Sequence, residues 1–292
     1  MKKEIFRGVA TALITPMRGK EIDHDALGKL IERQIEAGVF AIVIAGTTGE
    51  ASTLKREERA ELYISAKRAI GSRATLILGI GTNDTAATIE YTKMAEAVGC
   101  DGLLAVTPYY NKGTREGVYK HYEKLAKSTD LPIILYNVPS RTGVDLAPDT
   151  VKRLAMLDNI CGIKEAKGSL SRLREQIEAK IIPVYTGCDG EMLDVLELGG
   201  FGVISVVSNL YPRTVARLHK LYENGDTAGA CELFGRLKPV IDALFIDTNP
   251  APIKYALSRL GLCEEDMRLP MYPIGEAERR AVDLAMDCFG EE

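Results

Sequence analysis

Eight short, almost wholly apolar runs alternate along this chain with longer stretches patterned as helices. No other feature limits the fold as tightly. The runs begin near Val9, Phe40, Ala74, Gly102, Pro132, Ile160, Ile181 and Gly202, and Val39-Phe40-Ala41-Ile42-Val43-Ile44-Ala45 is typical of them. A strand with one wet face alternates apolar and polar residues. A continuous apolar run instead belongs to a parallel strand covered on both faces. The intervening segments carry helix signals. Asp23 precedes a helix bearing Leu27, Leu30, Ile31 and Ile35, and Asp84 precedes one bearing Ile89, Met94 and Val98 that stops at Gly99. Eight strand–helix pairs are the number that closes an α/β chain into a (β/α)8 TIM barrel. An open doubly wound sheet is the alternative.

The chain has 292 residues, and such barrels run to about 250 as one domain. We therefore expect a catalytic barrel over residues 1–224 and a C-terminal helical extension over 225–292, packed on the barrel or forming an oligomer contact. Breaks at Gly225, Asn249-Pro250 and Pro270-Pro273 divide that region into about three helices beyond the eighth barrel helix. A net charge of −4 and a pI near 5.6 argue against a nucleic-acid partner. The apolar runs are too short to span a membrane. Lys2, Lys3 and Arg7 precede Val9-Ala10-Thr11-Ala12, but that stretch is too short and too rich in threonine for a signal peptide. Six widely spaced cysteines with no Cys-x-x-Cys read as reduced thiols in a cytoplasmic protein.

Active sites of such barrels lie at the C-terminal ends of the strands. Lys164 lies near the end of the sixth run, Ile160-Cys161-Gly162-Ile163-Lys164-Glu165, and is the one lysine inside a predicted strand. Burial disfavours an ammonium, and a neutral amine in an apolar pocket is what imine chemistry with a carbonyl needs. The competing reading is a lysine paired with an acid inside the barrel. Tyr136 ends the neighbouring run and falls on the matching face, where its phenol could serve as acid or base. On its own it reads better as an aromatic capping the barrel with its hydroxyl in water. Gly46-Thr47-Thr48-Gly49-Glu50 follows the second run. Its glycines and hydroxyls suit a small carboxylate, or simply a turn before a helix. Arg141, in the loop after Tyr136, is either a carboxylate clamp or a solvated arginine. Tyr109-Tyr110 after the fourth run suggests an interface or a lid.

Other motifs narrow the class. Gly79-Ile80-Gly81-Thr82-Asn83-Asp84 imitates a dinucleotide fingerprint, but Asp84 stands where the third glycine belongs, so a turn and a helix cap are expected. His24, His121 and His219 fall on predicted helices, with no zinc-like spacing. No Gly-x-Ser-x-Gly elbow occurs.

Together, Gly-Thr-Thr-Gly-Glu, Tyr-Asn-Val-Pro and the later Gly-Ile-Lys resemble the superfamily of pyruvate-dependent class I aldolases that includes N-acetylneuraminate lyase. Val-Pro-Ser-Arg-Thr-Gly with Pro108-Tyr109-Tyr110-Asn111 resembles the dihydrodipicolinate synthase family within it, over essentially the whole chain. The resemblance implies that Lys164 forms an imine with pyruvate. It implies a proton relay of Tyr136, Thr47 and Tyr110, the last donated by a neighbouring subunit of a homotetramer. Thr48 would hold the pyruvate carboxylate, Arg141 the carboxylate of L-aspartate 4-semialdehyde, and Gly187 and Ile204 would line the pocket. No cofactor or metal is implied. Lysine-sensitive relatives have histidines where this chain has Arg56 and Arg59, and a glutamate where it has Ala87, whereas Asn83 and Tyr109 remain. That pattern implies weak or absent feedback by lysine. The rivals are a sister aldolase or lyase for sialic acid or a 2-keto-3-deoxy sugar acid, and a non-catalytic homologue.

Overall fold

A computed structural model of the chain describes residues 4–290; Lys2 and Lys3, weighed above as part of a leader, lie outside the described residues. Eight parallel strands close into a barrel in chain order. They are β1 (Gly8–Ala12), β2 (Ala41–Ile44), β3 (Thr75–Gly79), β4 (Gly102–Val106), β5 (Ile133–Asn137), β6 (Ile160–Glu165), β7 (Val184–Thr186) and β8 (Gly202–Ser205). Closure excludes the open sheet. Continuous apolar runs are what such strands require, since every β2 residue from Ala41 to Ile44 is buried.

The helices after the strands are α1 (His24–Glu36), α2 (Arg56–Ile70), α3 (Thr85–Val98), α4 (Arg115–Ala126), α5 (Pro148–Leu154), α6 (Leu170–Glu178), α7 (Met192–Glu197) and α8 (Pro212–Glu223). Both expected caps form. Asp23 accepts from the Ala26 amide and Asp84 from the Ala86 amide, and α3 ends at Gly99 in the left-handed region. The extension holds three further helices, α9 (Thr227–Leu244), α10 (Ala251–Arg259) and α11 (Glu276–Phe289).

Two local features depart from the sequence expectation. β7 begins at Val184 rather than near Ile181; Pro183 has no amide hydrogen for the ladder, and only its carbonyl is used, by the Ile163 amide. A two-residue hairpin, Met17–Arg18 with Glu21–Ile22, precedes α1. None of the six cysteines is in a disulfide. Among the described residues no helix is long and apolar enough to cross a membrane.

The chain forms two compact units. One comprises the described residues through Arg7 and Thr75–Ile204, and the other Gly8–Ala74 and Ser205 onward. In the second, Thr11 bonds Gln34 at 2.7 Å and Ser208 at 2.8 Å, so the polar groups buried beside β1 satisfy one another.

Candidate active site

In the unit containing β3 to β7, Tyr136 pairs with Lys164 in the β5–β6 register. Simple counting does not produce that pairing. Ile133 lies opposite Ile160, yet Ile134 lies opposite Gly162, so β6 carries one extra residue, a β-bulge. Without it Tyr136 would face Ile163, and Lys164 would turn to the other side of the sheet. The bulge puts phenol and amine on one face.

Lys164 is 5% and Tyr136 6% exposed. The lysine Nζ lies 4.4 Å from the centre of the Tyr136 ring, within the range of cation–π attraction. Gly187 shapes the other side. A Cβ there would come within 2.6 Å of Lys164 Cε, so only glycine leaves the lysine chain its place. The Gly187 amide donates to the Glu165 carbonyl at 2.7 Å.

Among the described residues, no carboxylate comes within ion-pair distance of Lys164. Glu165, the next residue, turns to the opposite face. There it accepts from Asn137 and Gln176 at 2.9 Å, with Arg172 Nε at 3.5 Å. Burial raises the Glu165 pKa against those partners. Cys188, beside Gly187, is a poor rival nucleophile, since burial pushes its thiol up to about 12.

The remaining candidates of this unit are more dispersed. Ile204 is fully buried in β8. Arg141 is exposed on a one-turn helix, Pro139–Thr142. Tyr110, in the loop after β4, is 89% exposed with φ at 68°, a left-handed conformation rare for tyrosine. Asn111 braces that loop by donating to the Asn83 carbonyl at 3.0 Å.

The Gly46–Glu50 loop belongs to the other unit. It leaves β2 through Ala45 and ends at Glu50, both left-handed, with φ of 55° and 53°. Gly49 is needed for close approach, since a Cβ there would sit 3.2 Å from the Leu13 carbonyl and the Ala45 backbone. Thr15 donates to the Gly49 carbonyl at 2.7 Å. Thr48 is buried and Thr47 half-buried. Residues of the C-terminal extension meet this loop, which the sequence reading missed. Asn249 Nδ2 donates to Thr48 Oγ1 at 3.0 Å. Lys254 Nζ pairs with Glu50, and the Arg268 amide donates to Glu50 at 3.2 Å. Polar residues some two hundred positions away leave no periodic signal that could have tied them to Gly46–Glu50.

The histidines are on helices as expected. Buried His121 bonds Thr85 at 2.9 Å, and burial lowers its pKa to about 4. Among the described residues no three His, Cys, Asp or Glu side chains are grouped to hold a metal.

Residues 5–287 match the model of the dihydrodipicolinate synthetase family. The chain belongs to that family. It is 45% identical over 288 residues to the 4-hydroxy-tetrahydrodipicolinate synthase of Syntrophus aciditrophicus, covering 98% of this chain and 99% of the relative. The synthase of Kosmotoga olearia is 43% identical over 290 residues, covering 97% and 99%. The dihydrodipicolinate synthase of Acinetobacter baumannii, solved with pyruvate, is 40% identical with a TM-score of 0.94, covering 97% of this chain and 99% of that one. Within the family frame, Lys164, Tyr136 and Gly187 adjoin in one unit, whereas Thr47 and Thr48 belong to the other.

Proposed function

We propose that the protein is a Schiff-base lyase that condenses pyruvate with L-aspartate 4-semialdehyde to 4-hydroxy-tetrahydrodipicolinate, a step toward lysine and diaminopimelate. The observation that carries this reading is Lys164, buried at the end of β6 beside Tyr136 with no carboxylate paired to it among the described residues. An amine held there with no acid paired to it is placed to attack a carbonyl, the step imine chemistry requires. The family and the relatives' names supply the substrates.

In this reading Lys164 Nζ adds to the C2 carbonyl of pyruvate, and loss of water leaves the imine. Loss of a C3 proton gives the enamine, whose C3 attacks the aldehyde carbon of the semialdehyde. The substrate's own amine then adds at C2 and displaces Lys164, closing the ring and regenerating the enzyme. Tyr136, Thr47 and Tyr110 move the protons, Thr48 and its loop amides hold the pyruvate carboxylate, and Arg141 binds that of the semialdehyde. Gly187 and Ile204 line the pocket. No cofactor or metal takes part.

The reading also includes a cytoplasmic homotetramer built from two dimers, without nucleic-acid or membrane partners, and a barrel over 1–224 extended by helices over 225–292. Supporting the dimer is Tyr110, exposed and left-handed at the tip of a braced loop, as a residue reaching into a partner's site would be. Sedimentation at assay concentration tests it: full activity in a monomer would contradict it. The chemistry is tested by a coupled assay with pyruvate and the semialdehyde, run beside sugar-acid substrates. Turnover of the sugar acids alone would replace this reading with the sister aldolase.

A further inference from the structure

The loop carrying Thr48 is fastened by the C-terminal extension, and the fastening has a chemical direction. We infer that Asn249 is a positioning residue for substrate carboxylate binding, acting through the proton of the Thr48 hydroxyl. The inference rests on the reading of Thr48 given above. Asn249 lies 201 residues further along the chain, and its Nδ2 donates to Thr48 Oγ1 at 3.0 Å. Both side chains are buried, at 6% and 3% exposure. Because Thr48 Oγ1 accepts this bond, its own hydrogen is committed to another acceptor. Among the described residues none accepts it. A buried donor without an acceptor is costly, and a carboxylate is the strongest acceptor such a hydroxyl can meet. Asn249 thus holds the Thr48 hydroxyl as a donor to the pyruvate carboxylate.

The backbone of the same loop is fixed separately. Glu50 is left-handed, which a non-glycine residue sustains only when its surroundings hold it. Its carboxylate pairs with Lys254 Nζ and accepts from the Arg268 amide, and Lys254 also donates to the Asp266 carbonyl at 2.8 Å. Those contacts fix the end of the loop at Glu50, and at Thr48 the bond from Asn249 turns the hydroxyl hydrogen away from the asparagine.

Asparagine and aspartate have nearly one shape but opposite hydrogen-bonding sense, so the pair is the test. In Asn249→Asp, the carboxylate takes the Thr48 hydrogen and sets a negative charge beside the substrate's own. The expected result is a rise in pyruvate KM of about tenfold or more near pH 8, with a smaller change in kcat at saturating pyruvate. The penalty should shrink as the pH falls and the new carboxyl, once protonated, donates again. Asn249→Ala should raise KM less and without that pH dependence. In a Thr48→Val background, Asn249→Ala should add nothing further. Melting curves and borohydride trapping at saturating pyruvate verify that each variant is folded and forms the imine. If an Asn249 variant does not fold, Thr48→Val alone decides: an unchanged pyruvate KM overturns the inference. Wild-type KM in both Asn249 variants across the pH range, or a pH-independent rise in Asn249→Asp, also overturns it. If instead the wild-type protein traps no pyruvate, the functional reading itself fails, a separate outcome.

Discussion

Among the described residues two lysines are sealed from solvent, one in each compact unit, and they differ in company. Lys254 is fully buried against the Glu50 carboxylate and the Asp266 carbonyl. Burial lowers its pKa, and the Glu50 carboxylate opposes that shift. Lys164 is almost as deep, but its neighbours are the Tyr136 ring and the bare backbone of Gly187. Its sequence neighbour Glu165 faces away, into Asn137, Gln176 and Arg172. Burial alone therefore does not separate a structural cation from a nucleophile. Under the proposed function, the acid within reach of Lys254 makes it part of the scaffold, and the lack of one within ion-pair distance of Lys164, among the described residues, leaves that lysine to serve as the nucleophile.

The contrast breaks most visibly by deletion. Lys164→Ala should abolish the borohydride-trapped pyruvate adduct and lower turnover by about a thousandfold or more, as expected when the covalent step is lost. Folded Lys254→Ala should still give the adduct. Peptide mass analysis decides, and an adduct on Lys254 would invert the comparison.

The next largest effect is on stability and runs the other way. Lys254→Ala leaves the Glu50 carboxylate buried and unpaired, a loss of about 3–5 kcal/mol. For a chain of this size that lowers Tm by roughly 6–20 °C. Lys164→Ala leaves no orphaned charge among the described residues, so its melting point should stay near that of the wild type. Equal destabilisation by the two substitutions would mean that Lys164 also serves the scaffold.

Arg141→Ala should spare the imine and harm the second substrate. Losing a charge-assisted, bidentate carboxylate contact costs about 2–4 kcal/mol, roughly 30- to 1,000-fold in rate. Pre-steady-state trapping with pyruvate should be unaffected while turnover of the semialdehyde collapses. Normal kinetics with the semialdehyde would reduce Arg141 to a loop residue.

The smallest expected effect comes from a third ammonium, that of free L-lysine. Where relatives that respond to lysine carry an acid, Ala87 offers none, and Arg56 and Arg59 add positive charge. Arg59 is buried, with its guanidinium donating to the Ala51 carbonyl. Initial rates at saturating pyruvate should barely change across a lysine titration. Strong inhibition at sub-millimolar lysine would require a rebuilt ammonium site with an acid from elsewhere in the chain.

The strands were legible because a strand covered on both faces must be apolar throughout, and seven of the eight start within one residue of where the runs begin. Lys164 was legible for the same reason, as a charge where none belongs. Tyr136 and Lys164 were expected to share a face, but not by way of a bulge between Ile133 and Ile134. Backbone irregularities of one residue leave no mark in an apolar run. The hairpin at Met17 and Glu21 is too short to show a period. The Asn249, Lys254 and Arg268 contacts to the Thr48 loop were illegible because each is a single polar group, two of them side chains and the third a backbone amide, made meaningful only by long-range packing.

The extra residue in β6 has a consequence for how such a site can change over time. Side chains inside the barrel can be exchanged one at a time, each at its own cost. The spacing between Gly162 and Lys164, beyond that extra residue, cannot. Removing one residue there would bring Lys164 opposite Leu135 and carry the amine to the side of the sheet away from Tyr136. Gene alterations that shift length in this stretch are therefore expected to be lethal to activity where substitutions at Cys161 are tolerated. Counting, more than composition, is what this strand preserves.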